Sequence, residues 1–207
     1  MFYNCSSLTR LDLSNFNAPN VTSMDYMFSG CTALKSLNLS HFNAPIVKNL
    51  SRLFENLKFL EDLNLNYFNA PNAMSMANMF DGCSSLTSLD LSNFNANNVS
   101  DISYMFNYCR QLKSIDLRGF TNVVYAEKVF FKCSSLETIY SGNWSPQTSG
   151  SMFSGCSKLV GGRGTKIGQN HYGYDANGKP LYYTCPSNGS AAHIDGGKDN
   201  PGLFTAK

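Results

Sequence analysis

Charge is scarce in this chain. Asp, Glu, Lys and Arg make up 14% of its 207 residues, and their balance is +2. So even a balance makes no electrostatic case for nucleic acid or an anionic membrane surface. Long apolar runs are missing as well: none reaches the roughly 18 residues that a membrane span needs. The opening MFYNCSSL has neither the basic nor the apolar region of a signal peptide. Histidine is rare, and His41, His171 and His193 share no motif. GxSxG, HExxH, a P-loop and a dinucleotide fingerprint do not occur. No two cysteines stand at CxxC spacing, so the zinc-knuckle and dithiol signatures are missing too. The expectation is a chain with no catalytic residues, no cofactor and no metal.

What is present is a repeat. MFSGC occurs at 27–31 and again at 152–156, with MFYNC, MFDGC, MFNYC and VFFKC as variants. Aligned on Met1, Met27, Leu53, Met79, Met105, Val129 and Met152, the steps are 26, 26, 26, 26, 24 and 23 residues. Apolar columns then share one phase. One runs Leu8, Leu34, Leu60, Leu86, Leu112, Leu136; the next Leu11, Leu37, Leu63, Leu89, Ile115, Ile139. A third holds Leu13, Leu39, Leu65, Leu91 and Leu117, and a fourth holds Phe16, Phe42, Phe68, Phe94 and Phe120, continued by Trp144. A fixed period of this length signals stacked units that cannot bury their apolar face singly.

Each unit carries two periodicities. Leu11-Asp12-Leu13 alternates, as a short strand with one buried face does. Val21, Met24, Met27, Phe28 and Cys31 recur at three to four, which predicts one short helix. Asn20, Asn72, Asn98 and Asn122 stand where an N-cap belongs, as do Ser145-Pro146 in a later unit. Gly30, Gly82 and Gly155 stand where a left-handed residue stops a helix. The reading is an α/β repeat solenoid over residues 1–160, with one parallel strand and one short helix per unit of 23–26 residues. Because the chain opens inside a unit, it reads as a fragment of a longer protein.

Cys5, Cys31, Cys83, Cys109, Cys133 and Cys156 form a column in which Leu57 takes the third unit's place. Leucine replaces a packed thiol but not a metal ligand or a nucleophile, so these read as core thiols. In-register parallel side chains are also poorly angled for disulfides. Cys185 lies outside the ladder.

Residues flanking the strand leucines point outward. One such column is Asp12, Asn38, Asn64, Asp90, Asp116 and Tyr140; another includes His41 and Tyr67. Hydrogen-bonding groups repeating at about 4.8 Å make a flat polar surface suited to an extended protein or glycan. Asp90 and Asp116 would be ladder neighbours rather than carboxylates facing across a cleft, which argues against glycan hydrolysis. Asn17, Asn43, Asn69 and Asn95 follow the Phe column and are expected to satisfy turn backbone rather than a ligand. Tyr3, Tyr26, Tyr104 and Tyr108 would project from the helical side and compete as interface anchors. Seven N-x-S/T triplets, among them Asn20-Val-Thr and Asn98-Val-Ser, read as by-products of the repeat.

After Val160 the composition shifts to GGRGTKIGQNHYGYDANGKP, and residues 161–207 read as an irregular C-terminal cap. PLYYT pairs naturally with QNHYGY as a hairpin, and Tyr172, Tyr174, Tyr182 and Tyr183 would lead any binding appendage there. GGRGTKIG follows no strand and opens no helix, so it is a poor phosphate loop. HIDGGKDN, with Asp195 and Asp199, lacks EF-hand spacing.

The pattern MFxxCxxLxxLDLSxFNAxxVxxM resembles the 26-residue branch of the BspA-like leucine-rich repeats of bacterial surface proteins and lipoproteins. The resemblance covers about residues 1–160. CSKLVGGRGT and AAHIDGGKDNPGLFT also look like the segment that closes such arrays, here separated by an insert. It implies a right-handed leucine-rich-repeat coil, display outside the cell or on a bacterial surface, and adhesion to an extracellular protein or glycan. It implies no catalytic residue. A purely structural stalk is the alternative.

Overall fold

The computed structural model describes residues 1–14, 16, 18–91, 94–141, 146–148 and 150–159, with the backbone alone for 141, 170–174 and 180–184. Asn17, Trp144, Ser145, Cys185, Asp195, Asp199 and the GGRGTKIG segment lie outside the described residues.

The repeat columns are stacked coils. Strands β1 (Ser36–Asn38) and β2 (Asp62–Asn64) pair in parallel, with Leu37 opposite Leu63 and Asn38 opposite Asn64. Strands β3 (Ser114–Leu117) and β4 (Thr138–Ser141) do the same, with Ile115 opposite Ile139. A second parallel seam links Ser23, Asn49, Ser75, Asp101, Tyr125 and Thr148, each bridged to the next. Neighbouring coils therefore meet position for position, across the shorter steps of 24 and 23 residues as well as those of 26. Leu11-Asp12-Leu13 and Leu89–Leu91 follow the same path without forming strands. Separately, β5 (Asn170–Tyr174) and β6 (Pro180–Thr184) pair antiparallel, His171 opposite Tyr183.

The expected helices are not there: among the described residues none is helical, and their place is taken by tandem turns. In coil two the N–H groups of Met27, Ser29 and Cys31 close back three residues, onto Met24, Tyr26 and Phe28. The N–H groups between them, of Met24, Tyr26, Phe28 and Gly30, cross to the carbonyls of Asn49, Ser51, Leu53 and Glu55 in coil three. Alternate peptides thus bond within the coil and to the next. Tyr26 (φ 57°) and Gly30 (φ 76°) are left-handed, which an α-helix does not allow. Geometry gives the reason. A helix is about 10 Å across, whereas parallel backbones sit about 4.8 Å apart. One helix per coil would splay the stack on that side. Turns keep both sides at a common pitch, and the two phenylalanine ladders record it. Phe16, Phe42, Phe68 and Phe94 stack at 5.3–5.6 Å on the strand side. Phe2, Phe28, Phe54, Phe80, Phe106, Phe130 and Phe153 stack at 5.4–5.8 Å on the turn side.

The caps are also different from those expected. Asn72 and Asn98 do not cap a helix; their Nδ2 atoms donate across coils to the carbonyls of Pro45 and Pro71 at 2.7 and 2.9 Å. The turns are opened instead from the seam. Asn49 and Asp101 accept the N–H two residues on, at 2.9 Å each. Asn69 donates to Asn43 at 3.1 Å, so this pair bonds to itself across coils.

Between the ladders lies one apolar core of leucine, methionine, alanine and cysteine. Cys31, Cys83, Cys109, Cys133 and Cys156 are buried in it, and Leu57 fills the equivalent place in coil three. Cys5, in the first coil, is exposed. The thiols do more than fill space: Cys31, Cys83, Cys109, Cys133 and Cys156 donate to Phe2, Phe54, Phe80, Phe106 and Phe130 carbonyls at 2.9–3.1 Å.

Candidate functional site

The outward strand-side column begins with a structural task. The side-chain oxygens of Asp12, Asn38, Asn64 and Asp116 accept the N–H groups of Ser14, Ser40, Asn66 and Arg118 at 2.9–3.1 Å. Each holds the bend that carries the chain off the strand. The N–H of Ser14 also holds the Asp12 carboxyl below its ordinary range. Asp116 is further engaged by the Arg118 guanidinium, with Nε and Nη2 at 2.9 and 2.7 Å. Asp12, Asn38 and Asp90 are exposed, while Asn64, Asp116 and Tyr140 are half-buried. The polar column is therefore continuous, but much of its bonding capacity faces its own backbone.

The freer groups lie two to three residues further on. His41 is exposed, and Tyr67 is 74% exposed. Between coils one and two a pocket of about 70 Å³ is lined by Asp12, Ser14, Asn38, Ser40 and His41, with leucines and Phe42 beneath. Its rim offers a carboxylate, an amide, hydroxyls and an imidazole over a rigid base. Asn15, Asn93 and Asn143, which belong to the same column, lie outside the described residues.

The turn side gathers more than its tyrosines. Tyr3 is 56% exposed and packs edge-on to Tyr26 at 5.5 Å, and Arg52 lies over the Tyr26 ring at 5.1 Å. In coils five and six, Arg110 covers Tyr108, Lys128 covers Tyr104 and Lys132 covers Phe131, at 5.3–5.6 Å. Beneath the surface of coils two to five runs a polar ladder. Ser29 donates to Glu55 at 3.0 Å, and Asn78 and Asn107 donate to the two oxygens of Asp81 at 3.1 and 3.0 Å. Desolvation pushes the carboxyls of Asp25, Glu55 and Asp81 upward, opposed by Arg52 and by these donors. The Oδ1 of Asn107 is buried without a partner. Sequence reasoning found the tyrosines but not the cations over them, because Arg110 and Lys132 reach rings one or two residues away only where the chain turns, and Lys128 reaches Tyr104 from the next coil.

Among the described residues no cluster of three or more His, Cys, Asp or Glu side chains could hold a metal ion, and no helix is long and apolar enough to cross a membrane. Burial raises the Cys83 thiol to about 12 and the Cys109 and Cys133 thiols well above their ordinary value, so these sulfurs stay protonated.

A family model described as Mycoplasma protein of unknown function, DUF285, matches residues 1–87 and 38–144. Among solved structures, the crystal structure of the T. pallidum leucine-rich repeat protein TpLRR is similar. Identity is 20%, over 66% of this chain and 70% of that one, and the TM-score is 0.39. Comparison with curated proteins finds no match.

Proposed function

This chain belongs to the DUF285 family, described as Mycoplasma proteins of unknown function, and from that premise we propose that it is a non-catalytic interaction module that binds an extracellular protein or glycan through its strand side. The finer reading places it with the BspA-like surface repeats, outside the cell or on a bacterial surface, as part of an adhesin. One observation carries the binding reading: exposed His41 lines the polar pocket with Asp12, Asn38 and Ser40, and the exposed Tyr67 holds the position of His41 one repeat of 26 residues further on. Tyr67 supplies no core packing at 74% exposure. An exposed aromatic next to fixed donors and acceptors is how a surface gains contact area at low entropic cost.

The test is a solid-phase screen of matrix proteins and glycans, repeated with Tyr67→Ala and His41→Ala. The expected result is at least one ligand whose affinity falls tenfold or more with Tyr67→Ala, at unchanged thermal stability. A ligand bound equally by both variants assigns binding to another surface. The spacer reading is supported by the seam that ties every coil to the next. It predicts no ligand at all, and adhesion of a full-length protein that survives removal of two whole coils.

A further inference from the structure

We propose that the turn side of coils five and six is a second binding site, for a glycan carrying sulfate or carboxylate groups. Three cations are held there over three rings: Arg110 over Tyr108, Lys128 over Tyr104 and Lys132 over Phe131. The rings interlock, with Tyr108 edge-on to Phe131 at 5.7 Å. Lys128 also reaches the Tyr104 hydroxyl at 3.5 Å. Two carboxylates are near: Glu127 accepts the Tyr104 hydroxyl at 3.1 Å and lies 3.7 Å from Lys128, and Asp101 accepts the N–H of Ser103 at the start of the same turn. Three cations against these two carboxylates leave the strip positive. The same face in coils two to four is the reverse, with Asp25, Glu55 and Asp81 around Arg52.

The backbone supplies an independent reason to read the strip as selected for a ligand. The second left-handed position of each coil is Asn4, Gly30, Asn56, Gly82 and Gly155 in five of the coils. In coils five and six it is Tyr108 (φ 56°) and Lys132 (φ 62°). Glycine and asparagine tolerate that conformation, whereas tyrosine and lysine are strained in it. The fold gains nothing there that glycine does not give in coils two, four and seven. Strain kept where an easier residue serves elsewhere marks a functional position, and these two side chains supply one ring and one cation of the strip.

Ligand chemistry follows from what the face lacks. The N–H groups of Tyr104, Tyr108, Lys128 and Lys132 all cross to the next coil, onto Glu127, Phe131, Gly150 and Ser154. No backbone edge remains for a peptide to extend as a strand. The rings are already covered by cations, so they offer little face for bases to stack on, as single-stranded nucleic acid requires. Fixed positive groups one coil apart fit a polymer whose own charges repeat, and cations pinned over rings lose little freedom on binding.

The experiment is titration of a heparin-derived dodecasaccharide onto the full chain at 50 and 200 mM salt, beside polyglutamate and a thymidine oligonucleotide of equal charge. The variants are Tyr108→Gly/Lys132→Gly, Arg110→Ser, Arg52→Asn and Tyr67→Ala. The expected result is saccharide binding that weakens with salt and falls at least tenfold in the first two variants. Arg52→Asn leaves it unchanged, whereas a fall in Tyr67→Ala would put the saccharide on the strand side and overturn the proposal. The double variant melts at the same temperature or higher, because strain is removed. No saccharide binding, tighter binding of either other polymer, or an unchanged affinity in the double variant each overturns the proposal. So does a lower melting temperature in that variant, since the side chains would then be held for stability. The strand-side reading stands or falls separately, on Tyr67→Ala.

Discussion

The thiol of Cys109 donates to the carbonyl oxygen of Phe80, one coil back, at 3.1 Å. That oxygen also accepts the N–H of Cys83 within its own coil, at 3.1 Å. The turn-end carbonyl thus has both lone pairs used, one locally and one by the neighbouring coil. A leucine fits the place, as Leu57 does, but brings no donor. Burial keeps Cys83, Cys109 and Cys133 in this column as protonated thiols rather than nucleophiles. Brief treatment with iodoacetamide at pH 8, followed by peptide mapping, should alkylate exposed Cys5 at least about 100-fold faster than Cys83, Cys109 or Cys133, since only an accessible thiolate reacts. Labelling of Cys109 at the rate of Cys5 in folded protein would contradict this.

The same burial sets an alkaline limit. Burial raises Cys83 from its ordinary 9.0 to about 12, and moves Cys109 and Cys133 well above 9.0. Folded protein holds these protons more tightly than unfolded chain does. The stabilisation is complete below the unfolded value near 9 and is lost as pH rises towards the folded values. Each thiol should lower unfolding free energy by about 1.4 kcal/mol per pH unit in that window. Urea midpoints measured from pH 8 to 11 should fall steeply above 9, and Cys109→Ala should flatten the slope while lowering the midpoint throughout. A midpoint independent of pH up to 11 contradicts the assignment.

At the acid end the sign is the same and the consequence opposite to the usual one. Desolvation raises Asp25, Glu55 and Asp81 above their ordinary values of 3.8, 4.5 and 3.8. Their folded forms gain stability as pH falls from neutral towards those values, rather than losing it. Asp81→Asn removes the buried charge, keeps one oxygen for the Asn78 donor, and lets Asn107 turn its amide so that its orphaned Oδ1 accepts the new N–H. At pH 7 it should stabilise by about 0.5–1 kcal/mol, a modest figure because Asp81 is partly solvated. The variant should also weaken the gain as pH falls from neutral towards 3.8. A loss of stability at pH 7 rules the explanation out.

The coil stack was legible in the sequence because its cause is a repeat length. The 26-residue step sets Leu37 opposite Leu63, and the shorter step of 24 sets Ile115 opposite Ile139 because the leucine columns keep their phase. The turn side was not legible. Met24, Met27, Phe28 and Cys31 are spaced as a helix face would be, and tandem turns bury the same positions. What separates the two is a left-handed residue every fourth position, filled by Arg52, Tyr104 and Lys128 as well as by glycine. Those residue types give no warning of φ. Asn72 misleads similarly: an amide that suits an N-cap also suits the Pro45 carbonyl of another coil. On the strand side the columns were readable, yet the role of Asp12 and Asn38 as caps of their own bends depends on two-residue geometry that a column does not display. In the cation strip Arg110 and Lys132 cover rings of their own coil, which only the turn geometry reveals, and Lys128 covers a ring of the preceding coil.

Phe80 sits in the middle of the turn-side ladder, 5.4 Å from both Phe54 and Phe106 and wholly buried. Phe80→Ala removes a ring from two stacks and leaves a cavity between coils three and five. It should cost about 3–5 kcal/mol, read as a lower urea midpoint. Phe80→Leu, which keeps most of the volume, should cost roughly 1–2 kcal/mol. Equal costs would mean that the stack contributes little beyond filling space.

Gly82 (φ +74°) lies against Asn56 of the preceding coil, and a Cβ on it would come 2.7 Å from the Asn56 Oδ1 and 3.4 Å from its Cα. Gly30 is set against Asn4 in the same manner, and Gly155 against Lys132. Two separate penalties follow for Gly82→Ala: left-handed strain of about 1–2 kcal/mol, and a clash of about 1 kcal/mol that the amide can only partly escape. They are separable. Asn56→Gly alone should be near neutral, because glycine accepts the φ of 59° that Asn56 has. In the double variant the clash disappears and the strain remains. Melting of the two single variants and the double should therefore give a favourable coupling of about 1 kcal/mol, with Gly82→Ala still destabilising in the Asn56→Gly background. Strict additivity would show that the glycine is required by its backbone alone, and that its alternation with asparagine along the column has no packing origin.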